Sequence, residues 1–290
     1  MDALRVNVTR DCNTNCSYCY MTNKEVYISE EEFNSLLTKW NPKKVSLSGG
    51  EPLLHPKLHK FILYAALKEA SVNIVTNGTL IAKNEYSLSK LAEDLGKKKD
   101  QLKFSISIDG ETKYNLESFS ILKKYGIKTQ VYIYPLLQKI DQIVNLLSQV
   151  SDCIDSCQLL FPMPMGKDSS YIGSKEWKSI VKEYNKVCNN AGVKLFFQMG
   201  YSSLVNDITI IPQEKLSSIF VDCDGSAHEC CLVAEAAEIG YKIPYQSCKV
   251  HENQGCLALL SIYGEDYRLK EDFNAPCPLT VIDSLYMSID

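Results

Sequence analysis

Two hydrophobic periods alternate over the first 160 residues. Short β-rich runs occur at Leu4–Val8, Val45–Leu47, Val72–Thr76, Phe104–Ile108, Thr129–Ile133 and Cys157–Phe161. Their starts lie roughly 25 to 40 residues apart, the spacing of βα units. Between them the period lengthens to that of a helix. Phe33, Leu36, Leu37 and Trp40 follow i, i+3, i+4, i+7, as do Leu58, Phe61, Ile62 and Ala65. Ile140, Ile143, Val144 and Leu147 repeat it, and so do Trp177, Ile180, Val181 and Tyr184. Ser29 with Glu32 forms a capping box at the head of the first helix. Six strands alternating with helices predict an α/β fold, a parallel sheet with right-handed crossovers. Eight units would close a barrel, so six predict a partial (β/α)6 barrel with ligands at the carboxyl ends of its strands.

The pattern changes after about residue 190. Val193–Phe197 is a further candidate strand, and Ser218–Asp222, Asp224-Gly225 and Ser226–Cys231 form a hairpin pattern with Asp-Gly at the turn. Residues 1–190 are therefore expected to form the partial barrel, and 191–290 a cysteine-rich extension. Lys97-Lys98-Lys99 is expected to be a solvated loop.

Composition narrows the class. Apolar residues make up 45% and charged residues 23% of 290, as in ordinary globular chains. The net charge of −4 disfavours gripping nucleic acid or anionic lipid through bulk positive charge. The longest apolar runs, such as Val131–Leu137, are too short to span a bilayer. Met1–Arg5 shows no secretory pattern, so a cytoplasmic location is expected. Twelve cysteines stand out, because a chain this long needs no disulfide staples. Ligand-like spacing then points to metal or redox chemistry.

Cys12, Cys16 and Cys19 follow the first strand with three and two residues between them. Soft thiolates suit zinc or an iron–sulfur cluster, and structural zinc wants four ligands. The alternatives are a zinc knuckle completed from afar, or core thiols. This spacing, with Tyr18 just before the third cysteine, resembles the signature of the radical S-adenosylmethionine (SAM) superfamily. Further motifs arrive in that family's order at strand ends: Ser48-Gly49-Gly50-Glu51-Pro52, Val75-Thr76-Asn77-Gly78, Ser107-Ile108-Asp109, and Phe161-Pro162-Met163-Pro164-Met165-Gly166.

The resemblance implies a 4Fe–4S cluster on Cys12, Cys16 and Cys19 whose open iron binds SAM. Reductive cleavage would then give a 5′-deoxyadenosyl radical that abstracts hydrogen from a substrate. Gly49, Gly50, Glu51, Asn77, Ser107 and Asp109 become candidate SAM contacts. Glu51 would be an acceptor or an anchor behind the ligand, and Ser107 and Asp109 would contact the ribose. Tyr18 would pack beside the cluster or the adenine. Asn77 is equally suited to shape its turn, and Asn13 and Asn15 are expected to be turn formers.

Cys223, Cys230, Cys231, Cys248, Cys256 and Cys277 form a second group. Gly225 to Cys230 fits the G-x4-C element of the SPASM and twitch extensions, although the later SPASM cysteine run is missing. One auxiliary iron–sulfur cluster is expected, on Cys230, Cys248, Cys256 and Cys277, with structural zinc as the alternative. Cys223 and Cys231 are substitutes, or candidate hydrogen-atom donors; no other catalytic residue is assigned. Cys153, Cys157 and Cys188 are expected in the core or at strand edges. His55 and His59 are expected at the surface, and His228 and His251 could replace a thiolate.

The implied partners are SAM, a reductant such as flavodoxin or ferredoxin, and a substrate. No membrane or nucleic-acid partner is expected. Family frequency favours a peptide substrate. Because the first strand starts at Leu4, no N-terminal leader-binding module is expected, which weakens that preference. The alternative is a small-molecule dehydrogenase, epimerase or cyclase acting on a sugar- or nucleotide-derived compound. A different class, a non-catalytic iron–sulfur or zinc protein, would need none of the strand-end SAM motifs.

Overall fold

All six β-rich runs form strands, each within two residues of its expected start. The computed structural model describes residues 1–110, 112–114, 116–135, 139–160, 174–198, 210–211, 218–228 and 286–289. The six are β1 (Ala3–Arg10), β3 (Lys44–Gly49), β4 (Ser71–Thr76), β5 (Leu102–Ile108), β6 (Lys128–Ile133) and β7 (Ser156–Leu159). They pair in parallel in that order. Short β2 (Lys24–Tyr27) runs antiparallel to β1. Its four residues carry too little alternation to have been predicted.

The sheet also takes strands from beyond residue 190. Strand β8 (Lys194–Gln198) adds in parallel to β7, and β10 (Ser218–Val221) adds in parallel to the free side of β1. Eight parallel strands thus run β10-β1-β3-β4-β5-β6-β7-β8, two more than the six predicted. Strand β11 (Ala227–His228) closes the expected hairpin on β10, with Phe220 opposite His228. Two short strands, β9 (Ile210–Ile211) and β12 (Tyr286–Ile289), finish the other edge. Residues from both sides of 190 therefore share one sheet.

The helices are α1 (Glu30–Trp40), α2 (Leu58–Leu67), α3 (Glu85–Leu95), α4 (Glu117–Lys124), α5 (Ile140–Val150) and α6 (Ser174–Asn190). In α1, Ser29 Oγ accepts the Glu32 N–H at 3.0 Å, and Asn41 closes the helix in the left-handed region at φ 39°. The Glu32 carboxylate, expected to cap reciprocally, lies instead against the hairpin turn. A Cβ added at Gly225 would come within 1.5 Å of Glu32 Oε1.

Phe33 and Leu37 are fully buried, each contributing about 1.5–3 kcal/mol of hydrophobic stabilisation. They join Leu4, Val6, Val45, Leu47, Ile74, Phe104, Ile106 and Val131 in one core between the sheet and its helices. Only alternate strand residues enter this core, since successive side chains point to opposite faces. The remaining face is polar, and the sheet curls around it as a partial barrel. No described helix is long and apolar enough to cross a membrane.

His55 departs from expectation. It is buried at 5% exposure, with Nε2 3.1 Å from the Ile28 carbonyl and Nδ1 accepting the Lys57 N–H. Pro56 does keep it out of α2, but the turn it occupies folds under Ile28. His59 pairs with Asp94 at 2.9 Å near the surface.

The tightest packing is where β3 ends. Gly49 has φ +126°, and a Cβ there would sit 2.0 Å from the Thr9 carbonyl oxygen; one at Gly50 would sit 2.1 Å from that of Asp11. Gly50→Ala is expected to cost about 3–5 kcal/mol, because backbone rather than a flexible side chain must move. Gly192→Ala, with φ +67° but nothing within 4 Å, should cost only about 1–2 kcal/mol of backbone strain. Urea unfolding of the two variants measures the difference.

Candidate active site

The loop between β1 and β2 carries the three cysteines and leaves the sheet at its carboxyl rim. Asn23 brackets its base, accepting the Cys12 N–H at 3.3 Å and donating to the Cys12 carbonyl at 3.1 Å. Tyr27 donates to Asp11 Oδ2 at 2.7 Å. Farther out, Cys19 N–H bonds the Cys16 carbonyl at 3.1 Å, which turns Cys19 to the exposed side. The Thr14 hydroxyl lies 3.2 Å from Cys12 Sγ and 3.7 Å from Cys16 Sγ. Burial pushes the Cys16 thiol pKa up, while the Thr14 hydrogen bond opposes the shift.

Among the described residues no three histidine, cysteine or acidic side chains converge on a single-ion site. A cubane cluster needs no such convergence, because each thiolate bonds a different iron. Three soft thiolates in one braced loop, with no fourth ligand beside them among the described residues, fit an iron–sulfur cluster better than structural zinc.

The two glycines and Glu51 serve the frame of this loop. Gly50 N–H bonds the Thr9 carbonyl and Glu51 N–H that of Asp11, both at 2.8 Å. The Glu51 side chain is fully buried. Its carboxylate accepts Thr76 Oγ1 at 2.7 Å, Asn77 N–H at 2.8 Å and Leu53 N–H at 3.0 Å. Burial pushes its pKa up against those three hydrogen bonds. Glu51 thus anchors the turn after β4. That turn holds the cysteine loop: Asn77 Nδ2 donates to Asn13 Oδ1, and Asn13 Nδ2 to Thr79 Oγ1, both at 2.9 Å.

Asp109 ends β5 at 1% exposure. It accepts Tyr18 Oη at 2.8 Å and Tyr114 Oη at 2.7 Å, together with the Thr112 N–H and hydroxyl. The Tyr18 ring stacks on Tyr134 with centroids 3.8 Å apart. Burial and the neighbouring Asp109 charge push the Tyr18 hydroxyl pKa up.

Residues 6–149 match the Radical SAM superfamily. The chain carries a radical SAM superfamily domain. That family implies a 4Fe–4S cluster and SAM. It is 31% identical over 147 residues to a GTP 3′,8-cyclase of Helicobacter pylori (strain HPAG1), covering 45% of this chain and 46% of the relative. It is 30% identical over 223 residues to protein MJ0907 of Methanocaldococcus jannaschii, covering 66% of this chain and 72% of that one. The chain spans about half the length of the cyclase relatives it matches. In fold it is similar to SuiB of Streptococcus suis bound to S-adenosylmethionine, with a TM-score of 0.65 at 14% identity over 89% of this chain and 70% of that one.

Inside the radical SAM domain the concave face is lined by hydrogen-bonding side chains. Ser105 donates to Asn73 Oδ1 and Lys103 Nζ to Gln130 Oε1, each at 2.8 Å. Ser107, Tyr132 and Gln158 lie in register across β5, β6 and β7. Burial pulls the Lys103 pKa down to about 8, with Lys44 adding to the shift.

On the β10 side of the rim, Asp222 is buried and accepts Arg10 Nε at 3.1 Å, Asn7 Nδ2 at 3.1 Å and Cys223 N–H at 2.9 Å. Arg10 Nη2 meets the same carboxylate. The hairpin beyond residue 190 is thereby tied to β1 two residues before Cys12. Cys223 points the other way, into the apolar core, and burial pushes its thiol pKa up to about 11. This placement argues against Cys223 as a hydrogen-atom donor to the concave face. Cys157 and Cys188 are buried as expected. Cys230, Cys231, Cys248, Cys256, Cys277, His251 and the Phe161–Gly166 motif lie outside the described residues.

Sequence reasoning missed Arg10, Thr14, Tyr114, Tyr134 and Asp222. Thr14 sits between the cysteines and Tyr114 five residues after Asp109, where a hydroxyl carries no motif of its own, while Arg10, Tyr134 and Asp222 meet partners from other strand ends that only topology assembles. Asp222→Ala should leave the Arg10 charge buried and unpaired, at a cost of about 3–5 kcal/mol. Replacing both partners with Met at Arg10 and Leu at Asp222 should recover most of that loss. Chemical unfolding of the single and double variants checks both expectations.

Proposed function

We propose that the protein is a radical SAM enzyme acting on a polar small molecule, nucleotide- or sugar-derived, bound against the concave face of the barrel. The observation that carries this proposal is the polarity of that face. Toward the carboxyl ends of the strands, Ser107, Tyr132 and Gln158 carry hydroxyls and an amide in one row. A ligand rich in hydrogen-bonding groups satisfies such a wall. An apolar group would bury it unpaired, at about 1–3 kcal/mol for each lost partner. The relative with a named activity supports the same class, since a GTP 3′,8-cyclase acts, by its name, on a nucleotide. The likeness to SuiB at 14% identity bears on fold alone.

Cys12, Cys16 and Cys19 would hold the cluster, and Gly49, Gly50 and Ser107 are the candidate SAM contacts at the rim. When bound, a reduced 4Fe–4S cluster supplies the electron that cleaves SAM to a 5′-deoxyadenosyl radical for hydrogen abstraction. The chain's own groups orient and enclose. Glu51 fixes the turn that holds Asn13, Asn23 and Thr14 brace the thiolates, and the Tyr18–Tyr134 stack covers part of the mouth.

Reduced, anaerobically reconstituted protein should release 5′-deoxyadenosine from SAM. Among a panel of nucleotides, phosphosugars and peptides, the polar small molecules should raise that rate by about tenfold or more. Stimulation by peptides alone would replace this proposal with peptide modification.

The C-terminal third is proposed to hold a second iron–sulfur cluster on Cys230, Cys248, Cys256 and Cys277. What supports this is the number of thiols beyond residue 220, six in all, and the burial that keeps Cys223 protonated. The Cys12→Ala, Cys16→Ala, Cys19→Ala triple variant should still carry about four irons per chain. Colourless protein with zinc in place of iron would contradict it.

A further inference from the structure

We infer that Asp109 acts through Tyr18: its carboxylate is the fixed post to which the cysteine loop is latched, and the Tyr18–Asp109 hydrogen bond sets where Cys16 and Cys19 sit over the barrel mouth. A carboxylate offers about four acceptor sites. Among the described residues four donors take them: Tyr114 Oη and the Thr112 N–H on Oδ1, Tyr18 Oη and the Thr112 hydroxyl on Oδ2. At 1% exposure, no site remains for a ribose hydroxyl while Tyr18 is in place.

The post is rigid. Thr112 grips it from three residues along the same loop, and Tyr114 Oη also accepts the Asp109 N–H at 2.8 Å. Tyr18 donates to it from the cysteine loop, where it lies between Cys16 and Cys19. Its ring is held as well, by the stack on Tyr134 after β6. The loop's other tether, Asn13 to Asn77 and Thr79, acts near Cys12. The two tethers fix opposite ends of the triad. The Tyr18 bond joins the Cys16–Cys19 turn, which its own Cys19 N–H to Cys16 carbonyl bond closes, to the end of β5. Tyr18 and Asp109 are therefore positioning residues, and they work as one unit.

This inference rests on the cluster-loop assignment, but its first test needs no cluster. In the apoprotein, Cys16 is half-buried. Iodoacetamide labelling followed by peptide mapping reads each thiol separately. Tyr18→Phe keeps the ring and removes only the latch. It should speed labelling of Cys16 by about three- to tenfold, the range expected for one hydrogen bond. Cys157, buried in the core, should stay unlabelled as the control for global unfolding.

In the reconstituted protein, Tyr18→Phe and Asp109→Asn should weaken SAM binding by similar factors. The double variant should be no weaker than either single, because all three remove one interaction. Unchanged Cys16 labelling in Tyr18→Phe would overturn the inference. So would Asp109→Asn losing SAM affinity while Tyr18→Phe keeps it, which would make Asp109 a direct ligand. If Asp109→Asn exposes Cys157 and so fails to fold, the Tyr18→Phe labelling alone decides. Failure to assemble any cluster on the triad would defeat the cofactor assignment and leave the labelling result standing.

Discussion

Everything at the rim depends on how closely two backbones approach where β1 and β3 end. Gly49 and Gly50 bring β3 against the carbonyls of Thr9 and Asp11 with no room for a Cβ, and the hydrogen bonds from Gly50 and Glu51 close the joint. That contact decides where the chain leaves the sheet, and so where the cysteine loop starts. It also throws the Glu51 side chain inward. There its buried carboxylate organises the turn after β4, and that turn holds Asn13. Of the two places expected for Glu51, acceptor or anchor, its three hydrogen bonds are those of an anchor.

A second constraint is the contrast between the two faces of the sheet. The apolar face takes the helices and supplies the core. The polar face must satisfy its own hydrogen bonds or find a ligand that does. Asn73 with Ser105 and Lys103 with Gln130 satisfy each other deep in the barrel. Nearer the rim, Ser107 and Gln158 flank Tyr132 in register across β5, β6 and β7. The buried Arg10–Asp222 pair then ties that loop's root to the hairpin, so the extension and the triad share a mechanical link.

Much of this was legible in the sequence. Period-2 runs marked the six strands because each buries one apolar face, and period-3.6 runs marked α1, α2, α5 and α6. The thiol spacing and the strand-end motifs identified the radical SAM resemblance, since those residues are close together in the chain. What the sequence concealed depends on distance. Strand β10 sits beside β1 although more than two hundred residues separate them, and no local pattern specifies that pairing. Asp109 invited assignment as a ribose contact from its place two residues after Ser107. Its actual partners, Tyr18 and Tyr114, come together only when loops from different strands meet. His55 looked like surface because Pro56 excludes it from a helix, but it is the turn under Ile28 that buries it.

The central claim is that three thiolates on one braced loop create a SAM-cleaving site at the mouth of a polar partial barrel. The most direct measurement is 5′-deoxyadenosine released from SAM by dithionite-reduced, anaerobically reconstituted protein, compared with the variant in which Cys12, Cys16 and Cys19 are all alanine. The account requires release from the first and none from the second, with the second still folded by its thermal midpoint. Equal release from both would contradict it.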